Sequence, residues 1–352
     1  MIQEKAWAIG PFEKAPENPV LRPDATGFDS WAAYNPAVIV KDGVFHMFYR
    51  AENADDKGTE YYGTSRIGHA TSKDGIHFSK QGIILDAECD YELPGGLEDP
   101  RICIVDGVYH LLYTAYRFPR VFLCSAVSTD LIHWEKQGPL FQKEYEEEKE
   151  SKSACPVVNP SLEAVKINGK YVMYTNEFFA LSEDFVHWEC TPCCASEYSG
   201  SLNEVCTAVT DYQVPGKDDI VLFVAGNMDR LCPERNLFYA ITECLMSREN
   251  PMEQVDRLTV PIIQAEYPYE KSLERLSGEA ARGTIFLDSV FASSGKWYAY
   301  YGASDSNIGV ATCSVKNAAS CCPDPYQSLS APGEPPLSVP RLGGRIGNTD
   351  EH

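Results

Sequence analysis

Short apolar and aromatic runs, separated by polar turns that contain glycine, repeat along most of this chain. Residues 35–50, 99–113 and 159–174 each read as a strand, an Asp-Gly or Asn-Gly turn, and an aromatic strand. Such a turn between two apolar runs predicts a β-hairpin. Residues 289–301 repeat the pattern, and residues 205–224 repeat it more weakly.

A second hairpin follows each of the first ones. These second hairpins begin within residues 67–78, 125–134, 180–188, 239–242 and 308–312. Five units of four strands predict an all-β fold, a five-bladed β-propeller. A β-sandwich or β-helix is the main alternative, but neither accounts for a period of two hairpins.

The repeats set the expected domain organisation. We expect residues 1–320 to form one catalytic propeller and residues 321–352, rich in Pro, Ser and Gly, to form a weakly ordered tail. Three histidines recur at one position of the repeat, which argues against a catalytic role, so we expect them to pack between blades. They are His77, His133 and His187.

Composition excludes several classes of partner. The net charge is −21 and no basic stretch occurs, so nucleic acid and anionic membrane are not expected partners. No apolar run is long enough for a signal peptide or a membrane span, and the 13 cysteines read as reduced thiols of a cytoplasmic protein. Cys190, Cys193 and Cys194 lack a second ligand pair at zinc spacing, so no metal and no cofactor is expected. A homo-oligomeric assembly stays open.

The most unusual copy of the repeat carries Glu-Asp-Pro-Arg at residues 98–101, where a predicted strand opens. Rigid β scaffolds hold catalytic groups still at such openings. From the residues alone, Asp99 is equally well a catalytic carboxylate and a turn residue that caps a strand.

Five segments, in this order, resemble a known family. They are residues 35–36, 48–51, 65–75, 96–102 and 300–305. The chain resembles glycoside hydrolase family 130, the β-mannoside phosphorylases and β-mannosidases, and is similar to the related β-1,2-mannosyltransferase/phosphorylase family of trypanosomatid parasites. The resemblance implies a five-bladed propeller that acts on β-linked mannose. It also implies that Asp99 is the catalytic acid and that mannose is bound by Asn35, Arg50 and Asp305.

The resemblance further implies that inorganic phosphate is a co-substrate and is bound by Arg50, Lys152 and Tyr239. Two departures stand out. The chain has Glu177 near the position of a family arginine, and Ala225 where a phosphate-binding histidine is usual. These departures favour a variant acceptor or donor over simple phosphorolysis.

The leading hypothesis is an inverting β-1,2-mannosyl phosphorylase or mannosyltransferase. It would interconvert an α-mannosyl phosphate donor, mannose-1-phosphate or the nucleotide-sugar GDP-mannose, with β-mannooligosaccharides. An inverting β-mannosidase is the alternative and needs a second carboxylate as base, for which Glu177, Glu204 and Glu279 are the candidates. From another class, the chain could be a non-catalytic propeller that binds mannan. We predict that neither Glu177 nor Glu204 is positioned as a base.

Overall fold

The predicted hairpins form, and their turns have the expected geometry. The computed structural model describes residues 5–53, 64–193, 204–226, 239–271 and 283–315. At four hairpin tips two successive residues have positive φ, which defines the tight turn that matches the twist of the strands. These pairs are Asp42-Gly43, Asp106-Gly107, Asn168-Gly169 and Ser294-Gly295. The sequence signal for a hairpin was therefore a direct consequence of backbone geometry.

The strands assemble into five antiparallel blades, and the fold is a five-bladed β-propeller. The first strands of blades 3 and 4 also pair with each other in parallel, so these two blades form one continuous sheet. Blade 1 contains β2 (Ala32–Lys41), β3 (Val44–Glu52), β4 (Arg66–Ser72) and β5 (Ser79–Leu85). Blade 2 contains β6 (Gly96–Val105), β7 (Val108–Arg117), β8 (Arg120–Ser128) and β9 (Glu135–Pro139). Blade 3 contains β10 (Cys155–Val158), β12 (Lys170–Tyr174), β13 (Phe178–Ser182) and β14 (Trp188–Pro192), with β11 (Lys166–Ile167) paired to β12. Blade 4 contains β15 (Glu204–Val209), β16 (Ile220–Gly226), β17 (Ala240–Met246) and β18 (Gln254–Arg257).

Blade 5 closes the ring with strands from both ends of the described chain. It contains β19 (Ile285–Ser293), β20 (Lys296–Ala303), β21 (Asn307–Ser314) and, as its outer strand, β1 (Glu13–Lys14), which pairs with β21. One short helix, α1 (Gln142–Glu146), connects blades 2 and 3. Short 3₁₀ turns at Asp90–Glu92 and Pro268–Glu270 precede β6 and β19. The predicted tail, residues 321–352, lies outside the described residues.

The first strand of each blade faces the propeller axis, because these strands contact one another across blades. Four of them, β2, β6, β15 and β19, contain a bulge at the same level, which we call the inner-strand bulge. The residues left out of register are Asn35, Asp99 with Pro100, Cys206 and Asp288. A bulge re-aims side chains and interrupts the hydrogen-bond ladder. The bulge therefore places one polar or reactive position near the axis in each of these four blades.

Blade 3 departs from the sequence repeat. Asn159 and Pro160 were aligned with the openings of the first two blades, but they lie after β10, in a turn closed by the Asn159 side chain. Cys155, opposite Tyr174, takes the place that Pro36 has opposite Tyr49. That alignment was wrong because β10 is short, so the same Asn-Pro letters mark the far end of the strand.

In three blades, a buried acid lies in the segment before the first strand and bonds side chains of the second strand and the outer strand. Each acid accepts a tyrosine hydroxyl from the second strand and the ammonium of a lysine from the outer strand, and we call this group the acid–tyrosine–lysine clamp. The clamps are Asp29–Tyr49–Lys80, Glu92–Tyr113–Lys136 and Glu270–Tyr301–Lys14. All three acids are fully buried, and the hydroxyl and ammonium partners offset the cost of removing each carboxyl group from water.

The recurring histidines do not pack between blades. Each ring is exposed and bonds the aspartate three residues earlier, which itself caps a turn through backbone N–H groups. The pairs are His77–Asp74, His133–Asp130 and His187–Asp184. The expectation of blade packing was wrong because the neighbouring aromatic residues, Phe78, Trp134 and Trp188, are the ones that contact the core.

Candidate active site

Two inner-strand bulges bring Asn35 and Asp99 into contact. Both residues have a left-handed backbone, with φ of 47° and 49°, which is uncommon outside glycine. The Asn35 Nδ2 group donates to Asp99 Oδ1 at 2.7 Å, and both side chains are buried. A strained backbone at two touching polar residues is typical of a functional site.

Arg50, on β3, anchors this part of the site. Its guanidinium lies 3.3 Å from Asp99 Oδ1, 2.8 Å from Glu98 Oε1 and 3.0 Å from Glu52 Oε1. Its Nε donates to Ser65, and only 9% of the side chain is exposed. Glu52 is fixed in turn by the hydroxyl of Tyr34. These bonds hold Arg50 in one position before any substrate arrives.

Lys152 approaches Asp99 from the loop between α1 and β10. Its Nζ lies 3.4 Å from Asp99 Oδ2 and 3.7 Å from Glu98 Oε2. About a third of its side chain is accessible (30%), whereas the side chain of Asp99 is only 3% exposed. Lys152 is therefore the cation of this cluster that an incoming anion reaches most easily.

Two glutamates flank Lys152. Glu177 accepts the backbone N–H of Lys152 at 2.8 Å. Glu204 accepts the hydroxyl of Tyr239 at 2.9 Å and the hydroxyl of Ser153 at 3.3 Å. Tyr239 thus enters the cluster through Glu204. The third candidate base, Glu279, lies outside the described residues.

Asp305 lies in the turn between β20 and β21, with φ of 46°. The adjacent Ser306 carbonyl accepts the N–H of Ala33, two residues before Asn35. Gly302, at the end of β20, is so close to Asn35 that a Cβ there would lie 2.2 Å from Asn35 Oδ1. The turn that carries Asp305 is therefore packed against the first inner-strand bulge.

The surroundings shift the pKa values of two adjacent carboxyl groups, Glu98 and Asp99, in opposite directions. Burial alone would raise the pKa of Asp99, but Lys152, Arg50 and the amide of Asn35 together hold it below its usual range. Burial raises the pKa of Glu98, and the attraction of Arg50 and Lys152 does not cancel this effect because Asp99 repels it. These opposite shifts make Asp99 the more acidic member of the pair in the unliganded protein.

The same charges act on the anion-facing residues. Burial would lower the pKa of Lys152, but Asp99, Glu98 and Glu204 raise it above its ordinary value. Burial raises the pKa of Glu177 to about 7, against the opposing bond from the Lys152 backbone. Carboxylates outnumber cations here, since Arg50, Lys152 and Arg101 lie among Glu52, Glu98, Asp99, Glu177, Glu204 and Asp288. An anion must therefore compete with carboxylates for these cations.

Sequence reasoning missed three members of the cluster. Glu98 was seen only as a neighbour, although it shares Arg50 and Lys152 with Asp99. Glu52 follows Arg50 by two residues, so the alternation of the strand could have placed both on one face. Asp288, the third member, pairs with Arg101. The signal for Asp288 was its place at the fifth-blade counterpart of the Asp99 bulge, which the sequence repeat did not resolve.

Within the described ranges no group of three or more His, Cys, Asp or Glu side chains could hold a metal ion. No helix among those residues is long and apolar enough to span a bilayer. Ala225 is fully buried on β16, directly across from Glu204.

Comparisons with known proteins agree on one family. A family model described as β-1,4-mannooligosaccharide phosphorylase matches residues 11–322. The chain is 30% identical to a 1,2-β-oligomannan phosphorylase of Thermoanaerobacter over 87% of this chain and 98% of that protein. It is 27% identical to a β-1,2-mannobiose phosphorylase of the same organism, over 83% and 94% of the two chains.

Solved structures with the same fold include hydrolases. A glycosyl hydrolase from Bacteroides ovatus is 29% identical, with a TM-score of 0.78, over 89% of this chain and 96% of that one. Another structure, also 29% identical, has a TM-score of 0.75 and covers 89% of this chain and 98% of that one. It comes from work on GH130 glycoside hydrolases that target β-1,2-mannosidic linkages in Candida mannan.

Proposed function

Because the chain belongs to glycoside hydrolase family 130, an enzyme family, we propose that it is an inverting β-1,2-mannosyl phosphorylase. Asp99 is the acid; Asn35, Arg50 and Asp305 bind the mannose that is transferred. Arg50, Lys152 and Tyr239 bind phosphate. The two Thermoanaerobacter relatives are phosphorylases of β-1,2-linked mannose, and this supports the linkage.

One observation carries the proposal: an accessible ammonium lies beside the buried acid, with Lys152 Nζ 3.4 Å from Asp99 Oδ2. In phosphorolysis the bond between mannose C1 and the bridging oxygen breaks. The oxygen takes the proton of Asp99, and a phosphate oxygen bonds C1 from the opposite face. This reaction needs an acid and cations but no protein base, because phosphate is the nucleophile.

Phosphate also supplies a reason for Asp99 to be protonated when it reacts. In the unliganded cluster, burial would raise the pKa of Asp99, but Lys152 and Arg50 keep it ionised. A phosphate dianion that pairs with Lys152 weakens that stabilisation and adds negative charge nearby. Both effects raise the pKa of Asp99. The acid would then be protonated when the nucleophile is in place.

In the reverse direction the same site would build β-mannooligosaccharides from mannose-1-phosphate. GDP-mannose is a second donor to test, since its leaving group needs no protein base. We also retain a cytoplasmic location as a prediction, and the oligomeric state stays open. A non-catalytic mannan-binding propeller is disfavoured, because Asn35 and Arg50 both converge on Asp99.

An inverting β-mannosidase is the second candidate, and Glu177 is the observation that favours it. Burial raises its pKa to about 7, a value suited to a base that activates water near neutral pH. Glu204 is less suited, because Tyr239 and Ser153 bond both of its oxygens. The 29% identical structure from work on GH130 glycoside hydrolases also supports hydrolysis as the second candidate reaction.

The deciding experiment follows β-1,2-mannobiose with the wild-type protein, with and without inorganic phosphate. A phosphorylase releases mannose-1-phosphate with phosphate present and stalls without it. Elongation of β-1,2-mannobiose by mannose-1-phosphate, run beside GDP-mannose, identifies the donor. Release of two mannose molecules at an undiminished rate in phosphate-free buffer would replace the proposal with the hydrolase.

A further inference from the structure

One guanidinium joins the inner-strand bulges of three blades. Arg101 Nε donates to the Cys206 carbonyl of blade 4 at 3.0 Å, and its Nη1 bonds the carboxylate of Asp288 in blade 5. The same Nη1 lies 3.5 Å from the Asp99 carbonyl and 3.4 Å from the Pro100 carbonyl in blade 2. The bulged backbone that carries Asp99 is thus tied to two other blades.

These contacts answer a need that the bulges create. The pairing of β6 with β7 breaks between Glu98 and Arg101, so the intervening carbonyls leave the regular ladder. Buried carbonyls must find donors elsewhere. Asp99 moreover has a left-handed backbone, a conformation that persists only when surrounding contacts enforce it. Arg101 supplies such contacts, and Asp288 holds Arg101 in place.

The pair is isolated from solvent. Arg101 is 4% exposed, the Asp288 side chain is 0% exposed, and the ring of Phe286 lies 5.4 Å from the guanidinium. A cavity that adjoins the pair is lined also by Cys155 and Thr207. A buried charge that loses its partner is poorly compensated, so both members must be kept together.

We propose that Arg101 and Asp288 are positioning residues that act through the Asp99 backbone to hold its carboxyl group in the orientation that the reaction needs. The inference rests on Asp99 being the acid of the proposed function. It holds whether phosphate or water is the nucleophile. The pair touches neither sugar nor phosphate in this role.

The charges of the pair predict an effect on the pH profile that a loss of stability alone would not produce. Asp288 is the carboxylate partner of the Arg101 guanidinium, and Arg101 follows Asp99 by two residues. Without that carboxylate, the extra positive charge favours ionised Asp99, so its pKa falls further. A general acid works only while protonated, so the alkaline limb of the pH profile should move to lower pH.

The test measures consumption of β-1,2-mannobiose in phosphate buffer, a readout that serves either reaction, for Asp288→Asn. We expect kcat to fall by about 10²-fold, as for a small misplacement of a reacting group, with KM within about threefold. The alkaline limb should shift downward. Lys14→Met is the matched control, because it breaks the Lys14–Glu270 pair, whose side chains are 8% and 0% exposed. That variant should lose thermal stability and keep kcat and the pH limb.

The outcomes separate this inference from the proposed function. If Asp99→Asn is inactive while folded Asp288→Asn keeps wild-type kcat and pH limb, the positioning role is wrong and the acid assignment stands. An active Asp99→Asn would remove the assignment itself. If Asp288→Asn does not fold, Arg101→Lys keeps the charge but not the forked donors. A wild-type kcat in that variant, or an equal loss of kcat in Lys14→Met, would also overturn the inference.

Discussion

The two sides of the candidate site are built differently. On the acid side, Asn35 and Arg50 converge on one oxygen of Asp99, and Glu98 and Glu52 share the same guanidinium. On the anion side, Lys152 is flanked by two carboxylates, Glu177 and Glu204, that bond backbone and hydroxyl groups.

In the proposed function, the two sides serve different parts of the reaction. The acid side is buried and its bonds fix a single geometry, as protonation of a leaving oxygen requires. The anion side is more accessible and is rich in carboxylates, so the proposal makes its charge the factor that selects between phosphate and water as nucleophile. Members of one fold can therefore share an acid and differ in nucleophile.

The largest effect is expected on the acid side. Asp99→Asn keeps the size of the side chain but removes the proton, so turnover of β-1,2-mannobiose should fall by about 10²- to 10⁴-fold. Mannose binding, measured by calorimetry, should persist. Asp86→Asn, at a partly exposed carboxylate paired with Arg66, is the control. Turnover near the wild-type rate would mean that another residue, with Glu98 the first to examine, supplies the proton.

A smaller effect is expected from the cation of the anion side. Lys152→Ala should lower kcat/KM for phosphate or mannose-1-phosphate by about 10- to 150-fold, the equivalent of about 1.5–3 kcal/mol for a charge-assisted contact. Affinity for the mannoside should change less. Lys170→Ala matches it, because the Lys170 side chain is 32% exposed and pairs with a carboxylate outside the site. Equal losses for phosphate and mannoside would show that Lys152 supports the cluster without binding phosphate.

The smallest effect concerns stability and comes from Glu177. Burial raises its folded-state pKa to about 7, whereas an unfolded glutamate titrates near about 4.3. The stability that proton uptake contributes is full below the unfolded value and is lost as pH rises through 7. Glu177→Gln should therefore have a higher free energy of unfolding than the wild type at pH 8, by about 2–4 kcal/mol, and a much smaller gain at pH 5.

Denaturant unfolding at the two pH values measures this, with Glu163→Gln, in the turn after β10, as the control. A gain that is the same at pH 5 and pH 8 would show that Glu177 is not buried as a charge. It would also weaken the case for Glu177 as a base. Glu177→Gln should also leave the rate of phosphorolysis unchanged if phosphate is the nucleophile.

The sequence predicted the fold because hairpin turns and strand alternation are local properties. Asp42-Gly43 and Asp106-Gly107 specify their turns without reference to the rest of the chain. It also grouped Asn35, Arg50 and Asp99, although that grouping came from the resemblance to a family. The resemblance likewise supplied Lys152, which the charge-rich loop alone would have left in solvent.

What the sequence could not predict depends on register between blades. The Arg101–Asp288 bond joins residues 187 positions apart, and no local pattern encodes it. The misplaced third copy has a similar cause, because letters do not reveal that β10 ends at Val158. The exposed histidines were misjudged because a repeated residue can cap a turn as well as fill a core.

The closure of the ring has a consequence for synthesis. Lys14 of β1 pairs with Ala311 of β21 and reaches Glu270, so the third clamp joins segments about 250 to 300 positions apart. At ordinary elongation rates β1 leaves the ribosome on the order of 15 to 60 s before its partner. During that interval the ring cannot close, and any blade that has already formed next to the gap has an uncovered end surface. The pairing of β1 with β21 closes a loop of about 300 residues, so it carries a large entropic cost. Lys14, in the first strand of the described chain, therefore makes these contacts last, when the strands synthesised at the other end complete the ring.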